Sequence, residues 1–324
     1  MIPLDAMICD TTANTDPARN SAVRAWLGLC RTSPAPRQIE DLKRRAGSNV
    51  FRLVGVGPLG SNVIAKRCTK SRARAEQNIY REVLPLLPFS SLEYYGLWEE
   101  PEGECCWVFI EDAGGVAYST EAHGVLAAEW LGKMHKAGGA AARELVLPEW
   151  GPARYLDSLR KGRKRICENL GNPALGEEDR VVLDAIVTQC GIVERNWSWI
   201  DDASALAPWT FVHGDLHPKN LRVRTAPSEL TLVAFDWESA GRSVVAVDLC
   251  LAGLDIPTYC SVVKASWPRL DVENLVLVGN VFQLLSCVEL ESTRLSEEWL
   301  HKPIKNMKYY LAEMARAIRA AELY

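Results

Sequence analysis

The stretch His213-Gly214-Asp215-Leu216-His217-Pro218-Lys219-Asn220 decides how this chain is read. Just before it, Trp209-Thr210-Phe211-Val212 is apolar and β-prone, which predicts a short buried strand. Gly214 lets the chain turn, Pro218 bends it again, and the segment offers a carboxylate at Asp215 and an amide at Asn220. A second apolar run, Leu230-Thr231-Leu232-Val233-Ala234-Phe235, ends in Asp236. The order is strand, polar loop, hairpin, strand, with three oxygen-bearing side chains at strand ends. Carboxylates and amide carbonyls are hard oxygen ligands, suited to Mg²⁺ carried on phosphate oxygens. A carboxylate left outside such a metal site suits a general base or a hydroxyl-orienting group. The spacing fits Asp215 handling a hydroxyl while Asn220 and Asp236 hold metal on a nucleotide. The bland alternative, a loop with scattered acids, leaves the register of the three side chains unexplained.

The pattern His-x-Asp-x-x-x-x-Asn, followed by an apolar strand ending in Asp, resembles the catalytic core of the protein-kinase-like fold. With Phe235-Asp236-Trp237-Glu238 added, it is similar to the aminoglycoside phosphotransferase and choline kinase-like family, which phosphorylates small molecules. Protein kinases usually carry Arg where Gly214 stands and Phe-Gly where this chain has Trp237-Glu238. The resemblance implies an α+β, two-lobed protein-kinase-like fold. Residues 1–112 would form a small antiparallel-sheet N-lobe with an N-terminal helical extension, and residues 113–324 a large, mainly helical C-lobe.

Upstream, Val50 to Val54 and Asn62 to Cys68 read as the strands of a hairpin around Gly55-Val56-Gly57-Pro58-Leu59-Gly60-Ser61. Glycines let a backbone approach phosphates and aim N–H groups at them, although most glycine-containing hairpins are only hairpins. In the family this position is the phosphate-covering loop, with Gly57, Gly60 and Ser61 as contacts, and the next strand carries the phosphate-binding lysine. Lys66 in Val63-Ile64-Ala65-Lys66 matches it, with Arg67 as a one-residue alternative. Thr69 to Leu87 reads as one helix, with Thr69 or Ser71 as its N-cap and Ile79, Val83 and Leu86 or Leu87 on its apolar face. The family pairs its lysine with a glutamate on this helix. Glu76, four residues before Tyr80, fits that role, and Glu82 is the runner-up. Two more strands, Glu93 to Trp98 and Cys105 to Ile110, flank the turn-rich Glu99 to Glu104. The second leads into Glu111-Asp112-Ala113-Gly114-Gly115, the hinge in the family, where main-chain groups of Phe109, Ile110 and Glu111 would meet the base.

Downstream, Val125, Leu126, Trp130, Leu131 and Met134 give Thr120 to Lys136 an apolar helical face, with His135 structural. Tyr155 to Asn169 carries the basic run Arg160 to Arg165, read first as a solvated helix face and second as an anionic-substrate surface. Glu178 to Trp199 reads as a second long helix with Leu183, Ile186, Cys190 and Val193 inward. Asp201 and Asp202 read as solvated, or as contacts to a cationic substrate. Asp248-Leu249 continues the family pattern, and the resemblance implies a structural role for Asp248, accepting backbone N–H bonds that brace the catalytic loop. Asp271 to Glu291 and Ser296 to Leu323 read as core helices.

Composition is that of a globular protein: 324 residues, 48% hydrophobic, 24% charged, net charge −4. That charge argues against a nucleic-acid or anionic-membrane partner. Ten scattered cysteines without a Cys-x-x-Cys fit reduced thiols in a cytoplasm, Met1 to Asp10 lacks a basic leader, and Leu275 to Leu285 is too short to span a bilayer. The resemblance thus implies a cytoplasmic monomer or homodimer that uses Mg²⁺ and ATP or GTP. It would phosphorylate a hydroxyl of a small antibiotic-, sugar-, nucleoside- or amino-alcohol-like molecule. The alternatives are a protein kinase, disfavoured by the lack of an activation segment ending in Ala-Pro-Glu, and a silent nucleotide-binding module. Joint retention of Lys66, Asp215, Asn220 and Asp236 disfavours the latter.

Overall fold

The computed structural model describes residues 20–45, 48–101, 103–226 and 229–323. The expectations for Met1 to Asp10, Cys9 and Glu102 lie outside these residues. Two compact units emerge, one running to Pro85 and resuming over Ser90–Gly114, the other made of Leu86–Phe89 and Gly115–Tyr324.

The first unit opens with helix α1 (Ser21–Leu29), capped by Asn20, whose side-chain oxygen accepts the Ala22 N–H at 2.9 Å. Its face of Ala22, Val23, Ala25 and Trp26 is buried. Strands β1 (Ile39–Arg45), β2 (Ser48–Leu53) and β3 (Val63–Thr69) follow, then helix α2 (Lys70–Asn78) and strands β4 (Tyr94–Glu99) and β5 (Cys105–Glu111). They form one antiparallel sheet in the order β1-β2-β3-β5-β4. The first strand is new relative to the sequence reading. It has five charged residues out of seven and no alternation to reveal it, a composition that suits an exposed edge.

Alternation divides β3. Val63 and Ala65 join the core cluster with Trp26, Phe51, Leu53 and Phe109. Trp26 packs at 5.3 Å from the ring of Phe109 and donates its Nε1–H to Ser33 Oγ at 2.8 Å. The helix expected from Thr69 to Leu87 is shorter than read. After α2 the backbone widens into a π-turn over Ile79–Val83 and tightens into a 3₁₀ turn over Leu84–Leu86. Pro85, which has no N–H to donate, sits in that last turn. Thr69 holds the N-cap position, but its hydroxyl lies 3.2 Å from Ser71 Oγ and makes no cap bond. Ile79, Val83 and Leu87 are buried, whereas Leu86 is exposed.

The second unit contains β6 (Val116–Ala117), α3 (Gly124–Glu144), α4 (Pro152–Asn169), α5 (Glu177–Arg195), α6 (Trp197–Ala205) and β7 (Trp209–Val212). Then come β8 (Leu221–Ala226), β9 (Glu229–Ala234), β10 (Gly241–Val244), α7 (Ala246–Leu249), α8 (Ile256–Val263), α9 (Val272–Ser292) and α10 (His301–Ala320). Two small antiparallel sheets, β6-β8-β9 and β10-β7, lie among the helices. Val125, expected on the buried face of α3, is exposed, while Trp130, Leu131 and Met134 are buried. The helix expected over Glu178 to Trp199 is two helices. Asn196 leaves helical backbone and turns its amide back to donate to Ile192 O at 2.9 Å. Leu183, Ile186, Cys190 and Val193 all face inward. The basic run is an ion-paired surface: Arg160 and Arg163 meet Glu194, Lys161 meets Asp157, Lys164 meets Glu168 and Arg165 meets Glu289. By length and composition α9 could cross a membrane, but it packs on α4, α7 and α10, and 56% of its most apolar window is buried.

Trp26→Ala should lower unfolding stability by about 3–5 kcal/mol, the usual cost of deleting a large buried aromatic. Denaturant titration checks this, and a loss below about 1 kcal/mol would contradict the packing described.

Candidate active site

In the first unit, Lys66 points away from the α1 face of β3 and donates from Nζ to Glu76 Oε2 at 2.9 Å. Both residues are buried, with Glu76 fully so. A buried ion pair is tolerated only where the partners satisfy one another, so removing either strands a charge. The one-residue alternative, Arg67, faces the other way and forms a two-point bond to Glu100 at 2.6 and 2.7 Å. Glu82, the other candidate partner for the lysine, is exposed.

The glycine-containing loop differs from expectation. Gly57 N–H donates to Ser61 O, Gly60 N–H to Gly57 O and Ser61 N–H to Pro58 O, all within 3.0 Å. The amides expected to face phosphates thus close a tight turn on themselves. Pro58 starts that turn, and Gly60 at φ +78 lets the chain leave it. The base-facing candidates are also redistributed. Phe109 and Ile110 lie inside the central strand β5, paired with β3 on one side and β4 on the other, and their side chains are buried. Two-sided pairing commits their main chain to the sheet. Glu111 stands at the strand's end, followed by Asp112. The Asp112 carboxylate accepts from Arg52 Nε at 2.7 Å and from the Gly114 N–H at 3.2 Å. Burial pushes the Asp112 carboxyl upward, but these bonds outweigh it and hold it below the ordinary range.

In the second unit the catalytic-loop segment hangs from Asp248. This fully buried carboxylate accepts the His213 N–H at 2.7 Å on Oδ2 and the Gly214 N–H at 3.0 Å on Oδ1. His135 Nε2 lies 3.3 Å from the same Oδ2, and the Tyr259 hydroxyl lies 2.9 Å from His135 Nδ1. Burial pushes the Tyr259 hydroxyl far above its ordinary value, so it keeps its proton and donates to His135. Gly214 has φ +79, and a Cβ there would sit 2.2 Å from Ser239 O, so no other residue fits without moving the loop. His213 is buried. Burial lowers its pKa and keeps the ring neutral, consistent with Nε2–H donating to Phe235 O at 3.1 Å and Nδ1 accepting the Asp215 N–H at 3.3 Å. The Trp237 ring packs 4.4 Å from His213 and 5.7 Å from Phe211, so the residue after Asp236 is a core brace.

These braces bring the second unit's three expected residues to one place. Asn220 Nδ2 donates to Asp215 O at 2.9 Å and to Asp215 Oδ2 at 3.1 Å. Two acceptors on that side fix the amide's orientation and leave Oδ1 as the donor available to a cation. Asn220 precedes β8 and Asp236 follows Phe235 just after β9. The hairpin pairs Leu221 with Ala234, and Phe235 N–H donates to Asn220 O at 3.1 Å, so both side chains stand at one end of it. Asp236 has φ 70 and ψ 52, a left-handed conformation uncommon outside glycine and costly to hold. An Asp236 carboxylate oxygen and one of Glu238 lie within 4.8 Å of each other. An amide oxygen and clustered carboxylates are the donor chemistry of a hard divalent cation. Glu238 was not among the residues expected there. Its position on the 3₁₀ turn Trp237–Ser239, two residues beyond Asp236, was the available signal.

Asp215 has two further neighbours. His217 Nε2 lies 3.1 Å from its Oδ1 and Lys219 Nζ 3.5 Å from its Oδ2. Burial works to raise the Asp215 pKa. The hydrogen bond from His217, with the charge of Lys219, outweighs it and draws the pKa down to about 2. His217 in turn takes Gln283 Nε2 at 3.3 Å on Nδ1. His217 and Gln283 line a cavity of about 510 Å³ between α9 and α10. A second cavity of about 470 Å³, near Asp179 and Lys308, is lined by no residue of the loop. Asp201 and Asp202 are exposed on α6 and line neither cavity.

The sequence model of the phosphotransferase enzyme family matches residues 41–271, and the chain belongs to that family. No curated protein matches it at a significant level. Among solved structures, it is similar to an aminoglycoside 2'-phosphotransferase-IIIa variant in complex with GDP. The TM-score is 0.63 and the identity 14%, covering 91% of this chain and 97% of that one. It is also similar to spectinomycin phosphotransferase in complex with ADP and spectinomycin (TM-score 0.58, 9% identity, 91% and 98% covered). An ethanolamine kinase from Plasmodium vivax gives TM-score 0.58 at 11% identity, with 91% and 89% covered. The fold is therefore the two-lobed protein-kinase-like fold, with a small antiparallel-sheet lobe and a large, mainly helical one.

Asp248→Asn should destabilise the protein by about 3–5 kcal/mol, because one oxygen becomes an amide facing an N–H donor. Denaturant titration reads the loss, and unchanged stability would contradict the bracing role. A carboxyl drawn below its ordinary 3.8 stabilises the fold above that value, and the contribution disappears as pH falls toward about 2. His217→Ala should therefore raise the Asp215 pKa toward 3.8, as followed by carboxyl-carbon NMR; an unmoved titration would contradict the contact.

Proposed function

We propose that this chain is a Mg²⁺-dependent small-molecule O-phosphotransferase that moves the γ-phosphate of ATP or GTP to a hydroxyl of a small acceptor. The observation that carries the reading is the Asp215–Asn220 pair, held by Asp248 at the end of a hairpin whose other strand leads into Asp236. Family membership supports phosphoryl transfer. The similar solved structures include nucleotide complexes and enzymes named for small hydroxylated acceptors, which supports the same class of reaction here.

Phosphoryl transfer passes through a loose transition state, so the protein's task is placement and charge neutralisation. In this reading Asn220 Oδ1 and the Asp236 carboxylate, with Glu238 beside it, hold the cation. When bound, Mg²⁺ neutralises developing charge on the phosphates. Lys66, held by Glu76, would add a positive charge at the nucleotide phosphates. Of the three residues expected to meet the base, Phe109, Ile110 and Glu111, Glu111 is the one at the end of β5, where the chain leaves the sheet. Asp215, ionised at neutral pH and a feeble base, accepts a hydrogen bond from the acceptor hydroxyl and orients its lone pair toward phosphorus. As the new O–P bond forms and the bond to the nucleoside diphosphate breaks, the hydroxyl proton passes to Asp215. His217 occupies one site on Oδ1, while Asn220 and Lys219 both approach Oδ2, so Oδ1 keeps a further lone pair for the hydroxyl.

Asp215→Asn should cut turnover by about 100- to 10,000-fold while Mg-nucleotide affinity stays within about threefold. Equal losses in both would contradict the role. Asp236→Ala should abolish metal-dependent nucleotide binding by calorimetry, and unchanged Mg-ATP and Mg-GTP affinities would contradict it.

A further inference from the structure

We infer that the cavity between α9 and α10 is the acceptor pocket of this phosphotransferase and takes an uncharged, hydroxyl-bearing ring compound with an apolar face, in preference to a polyamino sugar. The inference rests on the phosphotransferase reading and adds to it the chemical class of the acceptor. Its volume, about 510 Å³, lies in the usual range of small-molecule pockets, about 300–1,000 Å³. One wall is the α9 stripe Asn280, Gln283, Leu284 and Cys287, at the spacing of one helix face. The facing wall is the α10 stripe Tyr310, Glu313, Ala317 and Ala320, again on one face. His217 lies in the lining, with its Nε2 3.1 Å from Asp215 Oδ1, so a hydroxyl at that end is one side chain away from the proposed base.

The charge of the lining separates the two classes of acceptor. Among the described lining residues, Glu313 is the one carboxylate and Arg316 the one guanidinium, and they pair with each other at 2.6 Å. The other polar groups are the His217 imidazole, neutral amides, two tyrosine hydroxyls and thiols. A polyamine entering this cavity would give up water around several ammonium groups and meet no uncommitted carboxylate in the described lining. An uncharged ring compound would bury an apolar face on Leu277, Leu284 and the Tyr310 ring. It could exchange hydrogen bonds with Asn280 and Gln283, which both donate and accept. Gln283 also holds His217, so the amide that would read the acceptor is the one that orients the imidazole against Asp215.

The test uses the full-length, nucleotide-free protein and calorimetric binding of a matched panel. Uncharged aryl glycosides are compared with ethanolamine as a single cation and with di- and tri-amino sugars. At least one aryl glycoside should bind at least tenfold more tightly than every amino sugar. That binding should fall at least tenfold in Ala317→Trp, which fills the cavity from α10, and stay within twofold in Lys308→Gln, at the other cavity. The inference is overturned if no aryl glycoside binds, if its binding ignores Ala317→Trp, or if the tightest ligand is an amino sugar. Equal weakening by Lys308→Gln would overturn it as well. Mg-nucleotide affinity, measured in parallel on the wild type and on Ala317→Trp, judges the phosphotransfer reading separately, because the cavity's charge preference is decided without nucleotide.

Discussion

A single buried carboxylate organises the larger unit. Asp248 is out of contact with water, and a bare charge there would be prohibitively costly. It is tolerated because two consecutive backbone N–H groups, those of His213 and Gly214, and the His135 ring converge on it. The same bonds hold open a backbone turn that Gly214 alone can make at this place. The loop's functional geometry and the burial of a charge are therefore one constraint. What satisfies Asp248 fixes Asp215, and Asp215 fixes the amide of Asn220. Trp237 and His213 close the other side of the turn with aromatic packing and a bond to Phe235 O, which ties the loop to the strand leading into Asp236.

The smaller unit repeats the strategy with a pair of charges. Lys66 and Glu76 come from β3 and α2, and each makes the other's burial tolerable. The opposite face of β3 belongs to the Trp26 and Phe109 core. The lysine's direction is thus set by which face of the strand is apolar. That Arg67 pairs with Glu100 follows from the same alternation. The Arg52–Asp112 pair performs a similar service at the end of β5, where the chain leaves the sheet.

The readable parts of this chain were those whose signals are local. The strand–loop–strand around Asp215 and the placement of Asn220 and Asp236 at strand ends follow from residue types in one short stretch, and the bracing by Asp248 from the family resemblance that the stretch carries. The α+β kinase-like class followed from the family resemblance that the ordered motifs carry. What escaped had no local signature. The strand β1 is a charged edge, and edges need no hydrophobic alternation. Asn196 breaks a helix in the middle of a run with helical periodicity. The self-closing turn at Gly57 to Ser61 depends on carbonyl positions that glycine content does not specify. The link from Gln283 through His217 to Asp215 joins residues far apart in sequence, and the mutual neutralisation of Glu313 and Arg316 sets the charge of a cavity that no single segment reveals.

The most direct measurement is an experimental structure of the protein with Mg²⁺ and a non-hydrolysable nucleoside triphosphate. The account predicts metal ligated by Asn220 Oδ1 and the Asp236 carboxylate, phosphate oxygens within reach of Lys66 Nζ, and the γ-phosphate facing Asp215 without metal contact to it. Metal bound elsewhere, or a triphosphate that touches neither Lys66 nor the Asn220–Asp236 end of the hairpin, would contradict it.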